Sequence, residues 1–300
     1  MAYAVTDGAA SANTRRGERY SVMPSYDFRT TRLYSDAPLA GGGVVALDRD
    51  QSHYLRRVLR LKDGQEILVF NGRDGEWRAT LEGGTRQAAL RIADRTRPQA
   101  VTGDLHYLFA PLKSARLDYM VQKAVEMGVS QLRPVLTQHG QITRVNLERM
   151  RANAIEAAEQ CGILCLPEIA APVPLTRVLA AWQPDRHLVF CDEAADVADP
   201  LAALAAVPRR APLAVLIGPE GGFAAEERTA LLKLPHVVRL ALGPRILRAD
   251  TAAVAALALV QAVIGDWRRL RSLRLTVNES CRADRSRRSR HTRHRCGECS

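Results

Sequence analysis

The sequence predicts an α/β protein in two units, a small strand-rich one followed by a parallel sheet covered by helices. Three observations carry that expectation. Alternating apolar segments crowd residues 28–98, a strand-then-helix rhythm begins after Pro98, and two Gly-containing turns each follow an apolar strand. Strand–helix alternation argues for parallel strands, because a parallel connection needs a crossover long enough to hold a helix.

Taken in order, residues 1–27 are polar and lack hydrophobic period, so a disordered extension is expected there. DFRTTRLYSD then leads through Gly41–Gly43 into VVALD, and QSHYLRRVLRL has helical spacing. EILVFNG and EWRATLE alternate, and the Asn71–Gly75 stretch between them is a hairpin signal. AALRIADR adds a further strand, and the 28–98 unit as a whole fits a compact β-barrel. In the second unit, residues 99–270, strands are expected at Leu105–Ala110, Leu132–Leu136, His187–Cys191, Leu213–Ile217 and Val237–Leu240. Helices are expected at Ser114–Met127, Asn146–Gln160, Thr176–Ala181, Ala224–Leu232 and Asp250–Ile264. A ligand of such a sheet belongs at the carboxyl ends of its strands. Residues 271–300 read as an Arg-rich disordered tail.

With 300 residues and 47% hydrophobic content, the chain can bury two cores. The longest low-polarity stretch, Ala252–Ile264, is well short of the roughly 20 residues that span a bilayer. The first twenty residues lack the apolar segment of a secretory signal. A soluble, cytoplasmic protein without a membrane partner is expected. Of the formal charge of +11, +6 lies in residues 271–300, leaving a moderately basic body suited to a polyanion. Cys161, Cys165 and Cys191 read as buried small hydrophobes, and Trp77, Trp182 and Trp267 as packing residues. Cys296 and Cys299, with His291 and His294, have the spacing of a small zinc knuckle. The tail around them has almost no apolar residues to fold on a metal, so no metal site is expected.

Two segments carry the chemistry. In PLAVLIGPEGGFAAEE, the apolar strand Leu213–Ile217 runs into Gly218-Pro219-Glu220-Gly221-Gly222 and then a helix. Such glycines let backbone groups approach a ligand closely, although a tight turn alone needs only one or two. The segment has neither the G-x-G-x-x-G of dinucleotide folds nor the Lys-Ser/Thr of a phosphate loop. In VVRLALGPRILRADTAA, a second strand empties into a Gly-Pro turn, with Arg245 and Arg248 before a helix starting near Asp250. Asp250 alone reads as an N-cap, and the arginines read equally as a solvated face or as contacts to an anion.

Together, GPEGGF and LGPRILRADTA closely resemble the signature of the ribosomal RNA small subunit methyltransferase E family, enzymes of the knotted SPOUT class. HYLRRVLRLKDGQ, the Lys113-Ser114 turn, QKAVEMGV, EQCG at Glu159–Gly162 and GDW at Gly265–Trp267 agree in order and spacing, so the match runs from about Asp27 to Trp267. The resemblance implies a PUA-like β-barrel at 28–98 and a trefoil-knotted α/β methyltransferase domain at 99–270. It implies S-adenosylmethionine bent within the knot loops, against Leu216, Gly218, Glu220, Gly221, Leu242, Gly243, Ile246 and Leu247. It also implies a homodimer that completes the site, and methyl transfer to N3 of a 16S rRNA uridine near the decoding centre, on the 30S subunit.

That chemistry needs a base for the weakly acidic N3–H, or cations that stabilise charge on the ring carbonyl oxygens. Asp250 is the candidate base and Arg248 the candidate clamp. Arg32, His53, Arg57, Arg60, Lys113 and Arg245 are candidate RNA contacts, with Arg56 beside them. The chain departs from the family pattern at Asp250, where the family has Glu, and at Ile163, where it has Arg. Two other readings stand beside this one: a SPOUT methyltransferase for another RNA such as transfer RNA, and an RNA-binding assembly protein with weak or no catalysis.

Overall fold

In the computed structural model, the structure describes residues 27–267 apart from 28, 85, 86, 102 and 196–198. The expected N-terminal extension before Asp27 and the tail with Cys296 and Cys299 lie outside the described residues.

The first unit is built on an antiparallel ribbon. β3 (Glu66–Phe70), β4 (Glu76–Gly83) and β5 (Ala88–Arg97) pair in succession. β1 (Arg32–Tyr34) runs parallel beside β3, and β2 (Val44–Ala46) antiparallel beside β5. Period-two alternation puts Ile67, Val69, Ala79, Leu81, Leu90 and Ile92 into one core with Leu33, Leu39 and Leu55. The ladder shifts register around Trp77, a bulge that bends the ribbon. Gly75, with φ +89°, closes the hairpin where any Cβ would collide with the Arg97 carbonyl.

α1 (Arg49–His53) begins on a capping box: the Asp48 carboxylate accepts the Gln51 amide at 2.7 Å, and the Gln51 side chain accepts the Asp48 amide. The helix expected through QSHYLRRVLRL does not continue regularly. It widens into a π-helical turn at Tyr54–Val58, which buries Leu55, and ends before Arg60, whose φ is +57°. Arg56 is thereby turned back onto its own unit, donating to the Leu61 carbonyl at 3.1 Å and pairing with Asp63.

In the second unit, β6 (Leu105–Phe109), β7 (Gln131–Leu136), β10 (His187–Cys191), β11 (Leu213–Ile217) and β12 (Val237–Leu240) form one parallel sheet in the order β12-β10-β11-β6-β7. β8 (Glu168–Ile169) and β9 (Val173–Pro174), which the sequence reading missed, extend it beside β7. β11 is buried at all five positions, as expected for a parallel strand covered on both faces. The helices are α2 (Ser114–Glu126), α3 (Leu147–Cys161), α4 (Leu175–Ala180), α5 (Pro200–Ala205), α6 (Ala225–Leu232) and α7 (Ala249–Val263). α5 was not anticipated, although Asp199 and Pro200 form a standard start, the carboxylate accepting from Leu201 and Ala202. From the edge strand β12 the chain returns through α7 to pack against α2, α5 and the central β11. Cys161 is exposed at the end of α3 rather than buried, and Trp267 is 42% exposed.

The two units are joined through Tyr34 on the edge strand β1. Its amide donates to the Glu159 carboxylate of α3 at 2.8 Å, while its carbonyl is held within its own unit, accepting from Gln51 of α1 at 2.9 Å. Its hydroxyl accepts from Arg151 of α3 at 3.2 Å, and that guanidinium also lies over the Tyr34 ring. Tyr34 and Phe70 extend the second unit's core into the first.

Burial pushes the Glu159 carboxyl up to about 7; the Tyr34 amide opposes this, and Glu156 adds a smaller push upward. A folded pKa above the unfolded one means the stabilisation is complete below the ordinary carboxyl range and is lost as pH rises through about 7. Glu159→Gln keeps an acceptor for the amide and removes that titration. The variant should therefore gain on the order of 2 kcal/mol relative to the parent between pH 4.5 and 8 in denaturant unfolding. An unchanged pH slope would refute this.

Candidate functional site

Because every strand from β6 to β12 is parallel, their carboxyl ends share one rim, and the segments that follow them meet there. The 218–224 turn follows β11, residues 192–195 follow β10 and the 241–248 segment follows β12. β10 lies between the other two, so the two Gly-containing turns stand about 10 Å apart, two strand spacings.

The first turn is fitted closely around its glycines. A Cβ on Gly218 would lie 2.6 Å from the Phe223 ring, which covers that position. Gly222 has φ +70°, and a Cβ there would meet the Glu193 carboxylate at 2.8 Å. Glu220 and Gly221 are exposed, Glu220 paired with Arg116 of α2 at 3.4 Å. Glu227 ties this turn to the segment after β7: its carboxylate accepts the Gln138 amide at 2.8 Å and the Ala224 amide at 3.1 Å. His139 Nδ1 lies 3.1 Å from the Gly221 carbonyl. Sequence reasoning picked out neither Glu227 as a clamp nor His139.

The second turn is open. Gly243, at φ +96°, has nothing near its Cβ position, and Pro244, Arg245 and Ile246 are exposed, Ile246 completely. Leu242 packs partly into the core, and Leu247 is half-buried. Leu216 departs from expectation: it is 1% exposed inside β11, so it supports the rim from below.

Arg248, exposed and extended, is the N-cap of α7 but makes no side-chain capping bond. Asp250 is not the N-cap the sequence suggested. It occupies the first turn, half-buried, its Oδ1 accepting the Thr251 amide at 3.0 Å. A carboxylate there is favoured by the positive end of the helix. Asp250 also contributes to holding the buried Tyr107 hydroxyl protonated, after burial itself and Cys191.

Of the candidate RNA contacts, His53, Arg57, Arg60, Lys113 and Arg245 are exposed, Lys113 at the N-cap of α2 on the rim. Arg32 is a correction. Its guanidinium is 4% exposed and pairs with the buried Glu76 at 3.1 Å. Arg97 shares that carboxylate and reaches across to the Gly162 carbonyl of α3 at 3.0 Å. Burial alone would raise the Glu76 carboxyl, but bonds from Arg97, Thr96 and Arg32 hold it below its ordinary value. Arg32 is consumed by that network. Arg56 is likewise folded inward. Ile163, where the family pattern has Arg, packs against the core.

A buried acid at the end of β10 was missed altogether. Asp192, 3% exposed, receives Arg228 of α6 at 2.9 Å and Arg239 of β12 at 2.9 Å. Among the described residues, no cluster of three or more His, Cys, Asp or Glu could hold a metal, and no helix is long and apolar enough to cross a membrane.

Residues 99–261 match the family described as RNA methyltransferase domain, and residues 47–92 match the RNA methyltransferase PUA domain. Ribosomal RNA small subunit methyltransferase E of Synechocystis is 31% identical over 228 residues, 74% of each chain. The protein of that name from Rickettsia conorii is 28% identical over 77% of this chain and 94% of its own. A methyltransferase from Legionella pneumophila, solved with bound S-adenosylmethionine, is 29% identical with a TM-score of 0.68 over 78% of this chain and 98% of its own. Ribosomal RNA small subunit methyltransferase E of Neisseria gonorrhoeae, also solved with S-adenosylmethionine, shares the fold at 24% identity and a TM-score of 0.69, again over 78% and 98%. A SPOUT-type parallel sheet with a PUA-like unit before it, matched by these relatives along most of its length, places this chain in the ribosomal RNA small subunit methyltransferase E family.

Proposed function

We propose that the rim binds S-adenosylmethionine between the 218–222 and 242–247 turns and that the protein methylates N3 of a uridine in 16S rRNA on the 30S subunit. The observation that carries the reading is the pair of Gly turns at the ends of β11 and β12, flanking β10, in a chain of this family. The first domain limit, near residue 98, falls between β5 and β6, and the second unit is read as running to about residue 270. Gly218, Glu220 and Gly221 would present backbone and carboxylate to the polar parts of the cofactor. Leu242, Ile246 and Leu247 would cover its apolar faces, with Gly243 providing the turn. When bound, the cofactor would supply the methyl group from its sulfonium, with a neutral thioether as the leaving group.

This chain's own residues then act on the uridine. Asp250 takes the N3 proton through its outer oxygen, while Oδ1 stays fixed on the Thr251 amide. Arg248, exposed one residue before α7, stabilises the charge that develops on the ring carbonyl oxygens. Lys113 and Arg245 flank the rim for phosphate contact, and His53, Arg57 and Arg60 extend the basic surface onto the first unit. Complete exposure of Ile246 in a single protomer fits a homodimer in which the second copy covers this turn. The cytoplasm is the expected location, since that is where ribosomal subunits are modified.

Labelled S-adenosylmethionine, offered with unmodified 30S subunits, naked 16S RNA and transfer RNA, should place label in N3-methyluridine on the 30S particle. Label in transfer RNA would move the reading to another substrate. Cofactor binding without label anywhere would favour an assembly protein that has lost turnover. In the same assay Asp250→Asn should lower kcat by about 10²–10⁴ while cofactor affinity stays near the parent's. Full activity in that variant would remove Asp250 from the chemistry.

Replacing Arg57 and Arg60 together by Ala should weaken binding to 16S RNA and reduce the slope of log affinity against log salt by roughly two. An unchanged slope would mean neither residue meets a phosphate.

A further inference from the structure

We propose that Asp192 is a positioning residue that holds the two cofactor turns in register, an inference that rests on reading the rim as the S-adenosylmethionine site. Its carboxylate lies at the end of β10, between the two strands whose turns would form that site. Arg228 of α6, the helix that begins directly after the 218–224 turn, donates through Nε and Nη2 to the two carboxylate oxygens at 3.2 and 2.9 Å. Arg239 of β12, three residues before Leu242, donates to Oδ2 at 2.9 Å. The Asp192 amide donates to the Leu240 carbonyl at 3.2 Å, the last residue of β12. Its neighbours complete the link: the Ala194 carbonyl accepts from Arg239 at 2.7 Å, and the Glu193 carboxylate occupies the space beside Gly222.

The arrangement is more than one ion pair needs. Asp192 is 3% exposed, whereas both guanidiniums remain about one-third exposed. A buried carboxylate must be compensated, and a single arginine would satisfy that requirement. Here two arrive from the elements that bracket the site, one following the first turn and one preceding the second. The carboxylate therefore fixes the distance between α6 and β12, and with it the span available to a ligand bridging both turns.

The test measures S-adenosylmethionine affinity by calorimetry on the full chain, with 16S RNA affinity and thermal midpoint taken on the same samples. Asp192→Asn keeps the shape and removes the charge, and should raise the cofactor Kd by about tenfold or more while RNA affinity stays within about twofold. Arg239→Gln and Arg228→Gln should each weaken the cofactor less. Combining Arg239→Gln with Asp192→Asn should add little, because the two report one link. Should Asp192→Asn fail to fold, the two arginine variants carry the test, since neither leaves a buried charge without any partner. Parent-like cofactor affinity in these variants would overturn the proposal. So would cofactor affinity, RNA affinity and thermal midpoint falling in parallel with additive effects, the signature of general destabilisation. Failure of the parent itself to bind S-adenosylmethionine would instead overturn the reading of the rim.

Discussion

Everything at the candidate site depends on the parallel pairing of the five main strands of the second unit. Parallel strands must all be re-entered from the same end, so every segment leaving a carboxyl end is delivered to one rim. Five buried apolar residues in β11 hold the centre of that sheet, and their burial on both faces fixes where Gly218 begins. The rim can then be irregular, with glycines at positive φ and an exposed turn, because the strands beneath supply the stability.

Attachment of the first unit follows a different logic. It presents the second unit with a single edge strand of three residues and a few long side chains, among them Arg97. α3 engages Tyr34 through its amide, hydroxyl and ring, and Arg97 spans from Glu76 to the carboxyl end of α3. α3 thus carries both contacts, and it begins at the end of the segment whose His139 meets the Gly221 carbonyl and whose Gln138 amide donates to Glu227 of α6. The basic surface and the rim are referred to one helix.

The sequence was most legible where local pattern and burial agree. His187–Cys191, Leu213–Ile217 and Val237–Leu240 were read to the residue; the first two are apolar runs bounded by Arg186 and Asp192 and by Pro212 and Gly218, and the third begins right after His236. The short β8 and β9 were invisible, being two residues each and defined only by their pairing with β7. QSHYLRRVLRL has helical spacing, but spacing does not distinguish an α-turn from the π-turn that redirects Arg56. Residues whose partners are distant in sequence were misread or missed. Arg32 looked like surface charge because Glu76 is 44 residues away, and the arginines on Asp192 lie 36 and 47 residues beyond it. The available signal for Asp192 was its place directly after the buried run HLVFC, where an acid cannot remain unpaired. The proposed cofactor and RNA contacts came only through the family resemblance; at Leu216 and Arg32 that transfer meets buried side chains.

The bond from the Tyr34 amide to Glu159 has a consequence beyond joining two units. β1 is the last strand of its sheet, and its outer edge would otherwise offer a free amide to any passing strand. A carboxylate seated on that donor takes it away from any second chain, and α3 packs beside the strand. The contact that joins the two units thus also closes part of an open sheet edge, the kind of surface through which strands of separate molecules pair.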